Sequence, residues 1–200
     1  MSNDFFSKIQ GVLDGFLTAT ILKIIPQWFK PNYFSLIRLA LIPFIYLFLI
    51  KNNFLSAVIT FILAASLDSL DGALARTRKQ ISAWGLFLDP LADKLLIAIV
   101  LVFLLFTYPW PFLLAAIILV EIVTVLAGLI ASRKADLPSA SPFGKLKMLT
   151  QSLGVITSLL WLNFESDFLL SLSTVFFLTS FILQICNLIY FFKRGLHKNK

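Results

Sequence analysis

Asp68, Asp71, Asp89 and Asp93 hold four of the chain's ten acidic side chains, and they stand at the inner ends of two strongly apolar runs. An isolated carboxylate there is costly, so something must compensate the charge. Asp68 and Asp71 are three residues apart, and Asp89 and Asp93 four. On a helix both spacings put the paired side chains on one face, about a turn apart. Consecutive helices joined by a short connection run antiparallel, so the two pairs can converge at one depth. Hard oxygen donors with no Cys or His nearby suit Mg²⁺ or Mn²⁺ rather than zinc. Two such ions would balance four aspartates and still attract a diphosphate. The small residues Gly72, Ala75 and Gly85 between the acids leave room for a ligand or another backbone. Arg76 and Arg78 add fixed positive charge where phosphates would dock.

The elements that must position these groups are apolar helices. The chain has 200 residues, 59% hydrophobic, with 21 Phe and a mean hydropathy of +0.92. That composition predicts an all-α integral membrane protein rather than a soluble domain. Apolar segments fall at about 33–50, 54–75, 83–107, 110–132, 145–163 and 168–192. Most reach the ~20 residues that a membrane-crossing helix needs, which predicts six transmembrane helices. Pro43 interrupts the first, as a kink that a membrane helix tolerates. Before them, Phe5, Ile9, Val12, Phe16 and Thr20 recur at helical spacing opposite Asp4, Lys8, Asp14 and Thr18. This predicts an amphipathic helix over 4–24 lying in the membrane interface, ended by Pro26. The expected organisation is a juxtamembrane segment over 1–30, a six-helix membrane domain over 31–192 and a basic tail over 193–200. The single Cys186 excludes an internal disulfide.

The net charge of +7 could suggest a nucleic-acid partner, but its distribution points to the membrane surface. Sixteen of the seventeen Lys and Arg residues fall on one side of the six-span arrangement, and only Lys51 on the other. The excess of basic residues on the inner side then places both termini, and all four aspartates, at the cytoplasmic face. The localisation expected is a multi-pass protein of the cell (inner) membrane.

The sequence D-S-L-D-G-A-L-A-R, eight further residues and G-L-F-L-D-P-L-A-D resembles the motif of the CDP-alcohol phosphatidyltransferases, D-x-x-D-G-x-x-A-R-x8-G-x-x-x-D-x-x-x-D. Asp68, Asp71, Gly72, Ala75, Arg76, Gly85, Asp89 and Asp93 match every fixed position. The resemblance implies transfer of a phosphatidyl group from CDP-diacylglycerol to a small alcohol, with release of CMP. It implies metal ligation by Asp68, Asp71, Asp89 and Asp93, with Asp93 also the general base. It further implies a cytidine pocket lined by Gly72, Ala75 and Gly85, diphosphate contact by Arg76, and a homodimer. A cation transporter would explain intramembrane acids but not Arg76 at its spacing. A catalytically silent scaffold would have no use for the whole motif.

Within the family, three stretches look like the phosphatidylglycerophosphate synthase branch. They are P-N-Y-F-S-L-I-R (Pro31 to Arg38), F-L-D-P-L-A-D-K (Phe87 to Lys94) and G-K-L-K-M-L-T-Q (Gly144 to Gln151). Glycerol 3-phosphate is then the expected acceptor. Arg133, Lys145 and Lys147 are candidates to bind its phosphate, or are basic residues obeying the topology rule. That branch commonly carries an Arg-Glu pair in its fourth helix, where this chain reads Val120-Glu121. Glu121 thus stands well inside a span, with an acceptor role and a structural hydrogen bond both open. Inositol phosphate, another polyol phosphate or serine as acceptor, and headgroup transfer to diacylglycerol, are the alternatives.

Overall fold

The computed structural model describes residues 32–78, 83–133 and 142–197. The side chains at 32, 69, 71–73, 75–78, 83–87, 128–133, 142 and 191–197 fall outside that description. So do the amphipathic helix expected over 4–24 and the end of the basic tail. The described residues form six helices: α1 (Asn32–Ile50), α2 (Phe54–Arg78), α3 (Ala83–Thr107), α4 (Pro111–Arg133), α5 (Pro142–Phe164) and α6 (Asp167–His197). Each coincides with one of the six apolar segments read from the sequence, with ends that differ by a few residues.

Three helices are long and apolar enough to cross a membrane: Tyr33–Ile50, Leu88–Thr107 and Asp167–Tyr190, among the described residues. Phe54–Asp68 and Pro111–Ala127 are shorter apolar stretches. In α2 the apolar run stops at Asp68 because the rest of the helix carries the acidic and basic motif. α5 begins with Lys145 and Lys147 and carries Gln151, which lowers its hydropathy throughout the first turns.

The chain divides into two compact units, with the boundary between Ile99 and Val100 in α3. In the first unit α1 packs on α2. Their corner is built from three residues. Asn52 takes φ 54°, the left-handed conformation that ends helices. Asn52 N–H donates to Leu49 O at 3.0 Å and Asn53 N–H to Phe48 O at 2.9 Å, which satisfies the last carbonyls of α1. The Asn53 side chain then accepts from Ser56 N–H at 3.3 Å, capping the start of α2. From there Ala57, Val58, Phe61 and Ala64 form the buried stripe of α2, at helical spacing. Leu36, Ile37, Phe44 and Leu47 of α1 are exposed, an apolar outer surface fit for lipid. Pro43 and Pro90 both lie inside helices.

In the second unit α5 and α6 form a hairpin, and α4 packs on α6. Glu165 turns the hairpin with φ 52°, and Asp167 places a negative charge at the positive end of α6. The buried row of α5 is Lys147, Gln151, Gly154 and Ser158, and that of α6 is Ser173, Phe177, Ser180 and Gln184. Small residues let the two backbones approach closely, and the Phe177 ring fills the space over Gly154. Tyr108 closes the far end. Its hydroxyl is 2.7 Å from Ser173 Oγ and 2.8 Å from Thr174 Oγ1, and its ring meets Trp161 and Phe177 edge-on. Buried hydroxyls such as Ser158 and Thr157 bond to carbonyls of their own helix, which satisfies them away from water.

Candidate active site

The first unit gathers three of the four motif aspartates through α1. Ser35 and Arg38 are three residues apart, on one face, and both side chains are fully buried. The Ser35 hydroxyl donates to Asp89 Oδ1 on α3. Arg38 Nη1 donates to Asp93 Oδ1, also on α3, and pairs with Asp68 Oδ1 on α2 at 3.2 Å. One guanidinium thus ties two helices to a third. A buried guanidinium left alone would cost several kcal/mol, and two carboxylates offset that cost with charge-assisted hydrogen bonds. The Asp93 side chain is 19% exposed and that of Asp68 44%. Asp93 is therefore the more enclosed of the two, while Asp68 stays accessible to a ligand.

The other motif residues have described backbone positions only. Asp71, Gly72, Ala75 and Arg76 follow Asp68 on α2, and Gly85 precedes Asp89 on α3. The side chain of Asp71 lies outside the described residues, and among the described residues no three His, Cys, Asp or Glu form a metal-binding set. The described donors fit a hard cation in kind, since all are carboxylate oxygens. Two of them are bridged by Arg38.

The second unit holds the basic candidates, and it does not treat them alike. Lys145 and Lys147 are two residues apart on α5, so they point to different faces. Lys145 is exposed and Lys147 buried. Lys147 Nζ lies 2.5 Å from Glu121 Oε2 on α4. Gln184 Nε2 of α6 donates to the same Glu121 oxygen at 2.7 Å and to Ile117 O at 3.3 Å. Glu121 is thus not a lone carboxylate: α5 supplies the cation that its own helix lacks at Val120. Arg133 ends α4, with its side chain outside the described residues.

Two functional groups escape a reading of the motif alone. Ser35 and Arg38 belong to the P-N-Y-F-S-L-I-R stretch, and a Ser and an Arg at i, i+3 in a predominantly apolar helix are the signal that marks them. Gln184 carries no comparable signal.

The architecture and chemistry define a class: an all-helical protein with membrane-length apolar helices and, in its first unit, an aspartate cluster anchored to a buried arginine. The profile of the CDP-alcohol phosphatidyltransferase family matches residues 28–186. The chain belongs to that family, which makes it a membrane transferase of phospholipid synthesis. It is similar to the CDP-diacylglycerol–glycerol-3-phosphate 3-phosphatidyltransferase of Aquifex aeolicus, 29% identical over 82% of this chain and 94% of the relative. The protein of the same name from Wigglesworthia glossinidia brevipalpis is 37% identical over 66% of this chain and 76% of its own length. That from Pseudomonas fluorescens is 47% identical over a shorter region, 37% of this chain and 40% of the relative.

Proposed function

We propose that this protein transfers the phosphatidyl group of CDP-diacylglycerol to glycerol 3-phosphate, releasing CMP and forming phosphatidylglycerophosphate. The observation that supports it most directly is the joining of Asp68, Asp89 and Asp93 by Ser35 and Arg38, in a chain whose similar relatives bear that activity's name. Asp93 accepts from Arg38 through Oδ1, and Oδ2 is the oxygen that takes the proton of the acceptor hydroxyl. The acceptor oxygen attacks the phosphorus that carries the lipid. The bond from that phosphorus to the bridging oxygen of the diphosphate breaks, and CMP leaves with the bridging oxygen. The proton ends on Asp93. Arg38 fixes the orientation of the carboxylate, so little reorganisation is needed at the moment of transfer.

Asp68, Asp71, Asp89 and Asp93 would hold Mg²⁺ or Mn²⁺, two ions per site, and these would neutralise charge on the diphosphate and the departing CMP. Gly72, Ala75 and Gly85 leave space for the cytidine, and Arg76 contacts the diphosphate. Arg133, Lys145 and Lys147 are the candidates for the acceptor phosphate, Lys145 by its exposure on α5. The membrane arrangement we propose has six spans, both termini and the reaction at the cytoplasmic face of the inner membrane, and a homodimer as the working unit.

One observation favours a second acceptor. The Val120-Glu121 sequence lacks the arginine common in the glycerol 3-phosphate branch, and Lys147 is engaged with Glu121. Another phosphorylated polyol would then take the acceptor place. The test is CMP release from CDP-diacylglycerol by the purified protein with Mg²⁺, across a panel of acceptors. Release driven by glycerol 3-phosphate is the expected result. Release driven only by a different alcohol changes the product. Absence of release with every acceptor, matched by an Asp89→Asn control, overturns the proposal.

A further inference from the structure

Arg38 has no bond to make or break in the proposed reaction, yet among the described residues of the first unit it is a fully buried cation paired with two carboxylates. Its side chain is fully buried in α1, and it pairs with Asp68 and Asp93 on two other helices. A guanidinium does not lose its proton at any physiological pH, so the charge is permanent. The oxygens it holds belong to residues that the proposed function gives to a divalent cation. Two cations then draw on the same carboxylates, and they repel each other across a short distance at a site only partly screened by water.

Ser35 supplies the contrast within the same face. It holds Asp89 by a hydroxyl, with a hydrogen bond and no charge. One aspartate is therefore positioned by a neutral donor and two by a cation. If positioning were all that α1 provides, hydroxyl and amide donors would serve at both places without the cost of burying a charge.

We propose that Arg38 is an internal counter-cation of the aspartate cluster: it neutralises Asp68 and Asp93 in the metal-free protein and weakens divalent metal binding there, so that it sets the metal concentration at which the site loads. The inference rests on the metal-site reading of the aspartates. It makes Arg38 a positioning and affinity-setting residue. It also makes metal binding and stability opposed quantities, since removing the charge leaves the metal-free cluster repelling itself while giving an entering ion a stronger field.

The experiment is Mn²⁺ titration of the purified full-length protein in detergent, without substrates, read by the electron paramagnetic resonance of free Mn²⁺ and by thermal unfolding. Arg38→Gln is expected to bind Mn²⁺ about tenfold tighter or more, because a unit charge in contact with two ligands has been removed. Its unfolding temperature is expected to fall without metal and to recover with it. Ser35→Ala is expected to change Mn²⁺ affinity by less than about threefold, the loss of one neutral hydrogen bond. Equal or weaker Mn²⁺ binding by Arg38→Gln overturns the proposal while leaving the metal site intact. Where Arg38→Gln does not fold with or without Mn²⁺, Arg38→Met decides. It removes the charge and leaves no unpaired amide in the buried face of α1, so tighter binding than the parent supports the proposal and equal or weaker binding overturns it. Absence of Mn²⁺ binding by the parent protein overturns the metal-site reading itself, and this inference with it.

Discussion

Lys147 on α5 and Glu121 on α4 form an ion pair, Nζ to Oε2 at 2.5 Å, in which the lysine side chain is 8% exposed and the glutamate 21%. Gln184 on α6 donates to the same carboxylate oxygen, so one acidic group holds three helices. Removing one partner of such a pair leaves a charge without compensation. Lys147→Ala is expected to cost about 3 kcal/mol of stability. Adding Glu121→Gln should restore part of that loss, because the remaining amide is neutral. Thermal unfolding of the single and double variants in detergent checks this, and additive losses would refute the coupling.

Lys145 offers a cleaner reading of acceptor binding, because it is exposed and lies off the buried face of α5. Lys145→Ala should alter stability by less than about 0.5 kcal/mol. Its acceptor KM should rise about tenfold, the worth of one charged hydrogen bond to a phosphate, with the donor KM nearly unchanged. Steady-state kinetics with both substrates varied separates the two. Equal shifts in both constants would return Lys145 to a topological role.

Asp89→Asn keeps one oxygen for the Ser35 hydroxyl and replaces the other by an amide nitrogen, which removes the charge and one oxygen donor. The variant should fold and insert as the parent does. Its transfer rate should drop at least about a hundredfold, since charge neutralisation at a diphosphate is worth several kcal/mol. CMP release measured beside detergent-extracted yield and unfolding temperature tests this. Near-parental release would remove Asp89 from the reaction.

Gly154→Ala tests the hairpin of the second unit. A methyl group there would stand 2.8 Å from two carbons of the Phe177 ring, which is itself fully buried. The expected loss is about 1–3 kcal/mol, the usual cost of overpacking a close contact. Adding Phe177→Leu should recover part of it, read by thermal unfolding. A parental unfolding temperature for Gly154→Ala would mean that the helices separate without strain.

The six helices are legible because apolar runs and their breaks are properties of consecutive residues. The aspartate motif is legible for the same reason: within each half the two aspartates are only about one helical turn apart. Arg38 and Lys147 show where such reading stops. Counted with the other basic residues, both look like surface charges that report orientation. Both are buried and paired with acids far away in sequence, at Asp68, Asp93 and Glu121. A tally of charge sign carries no information about burial, and the partners lie on other helices. Gln184 is still further from view, because one neutral amide in a 31-residue helix has no pattern to distinguish it.

The corner between α1 and α2 has a consequence for how the chain tolerates change. Asn53 belongs to the stop signal of one helix and the start signal of the next, so no slack residue separates them. Arg38 stands about 18 Å before that corner and Asp68 about 21 Å after it, at 1.5 Å per helical residue. The two arms behave like the scales of a vernier locked at one end. A single residue inserted near Asn52 would swing one arm by about 100° about its axis against the other, carrying Asp68 off the guanidinium. A surface turn, ordinarily the most forgiving place for insertions, is here the gauge that keeps a distant pair of charges in step.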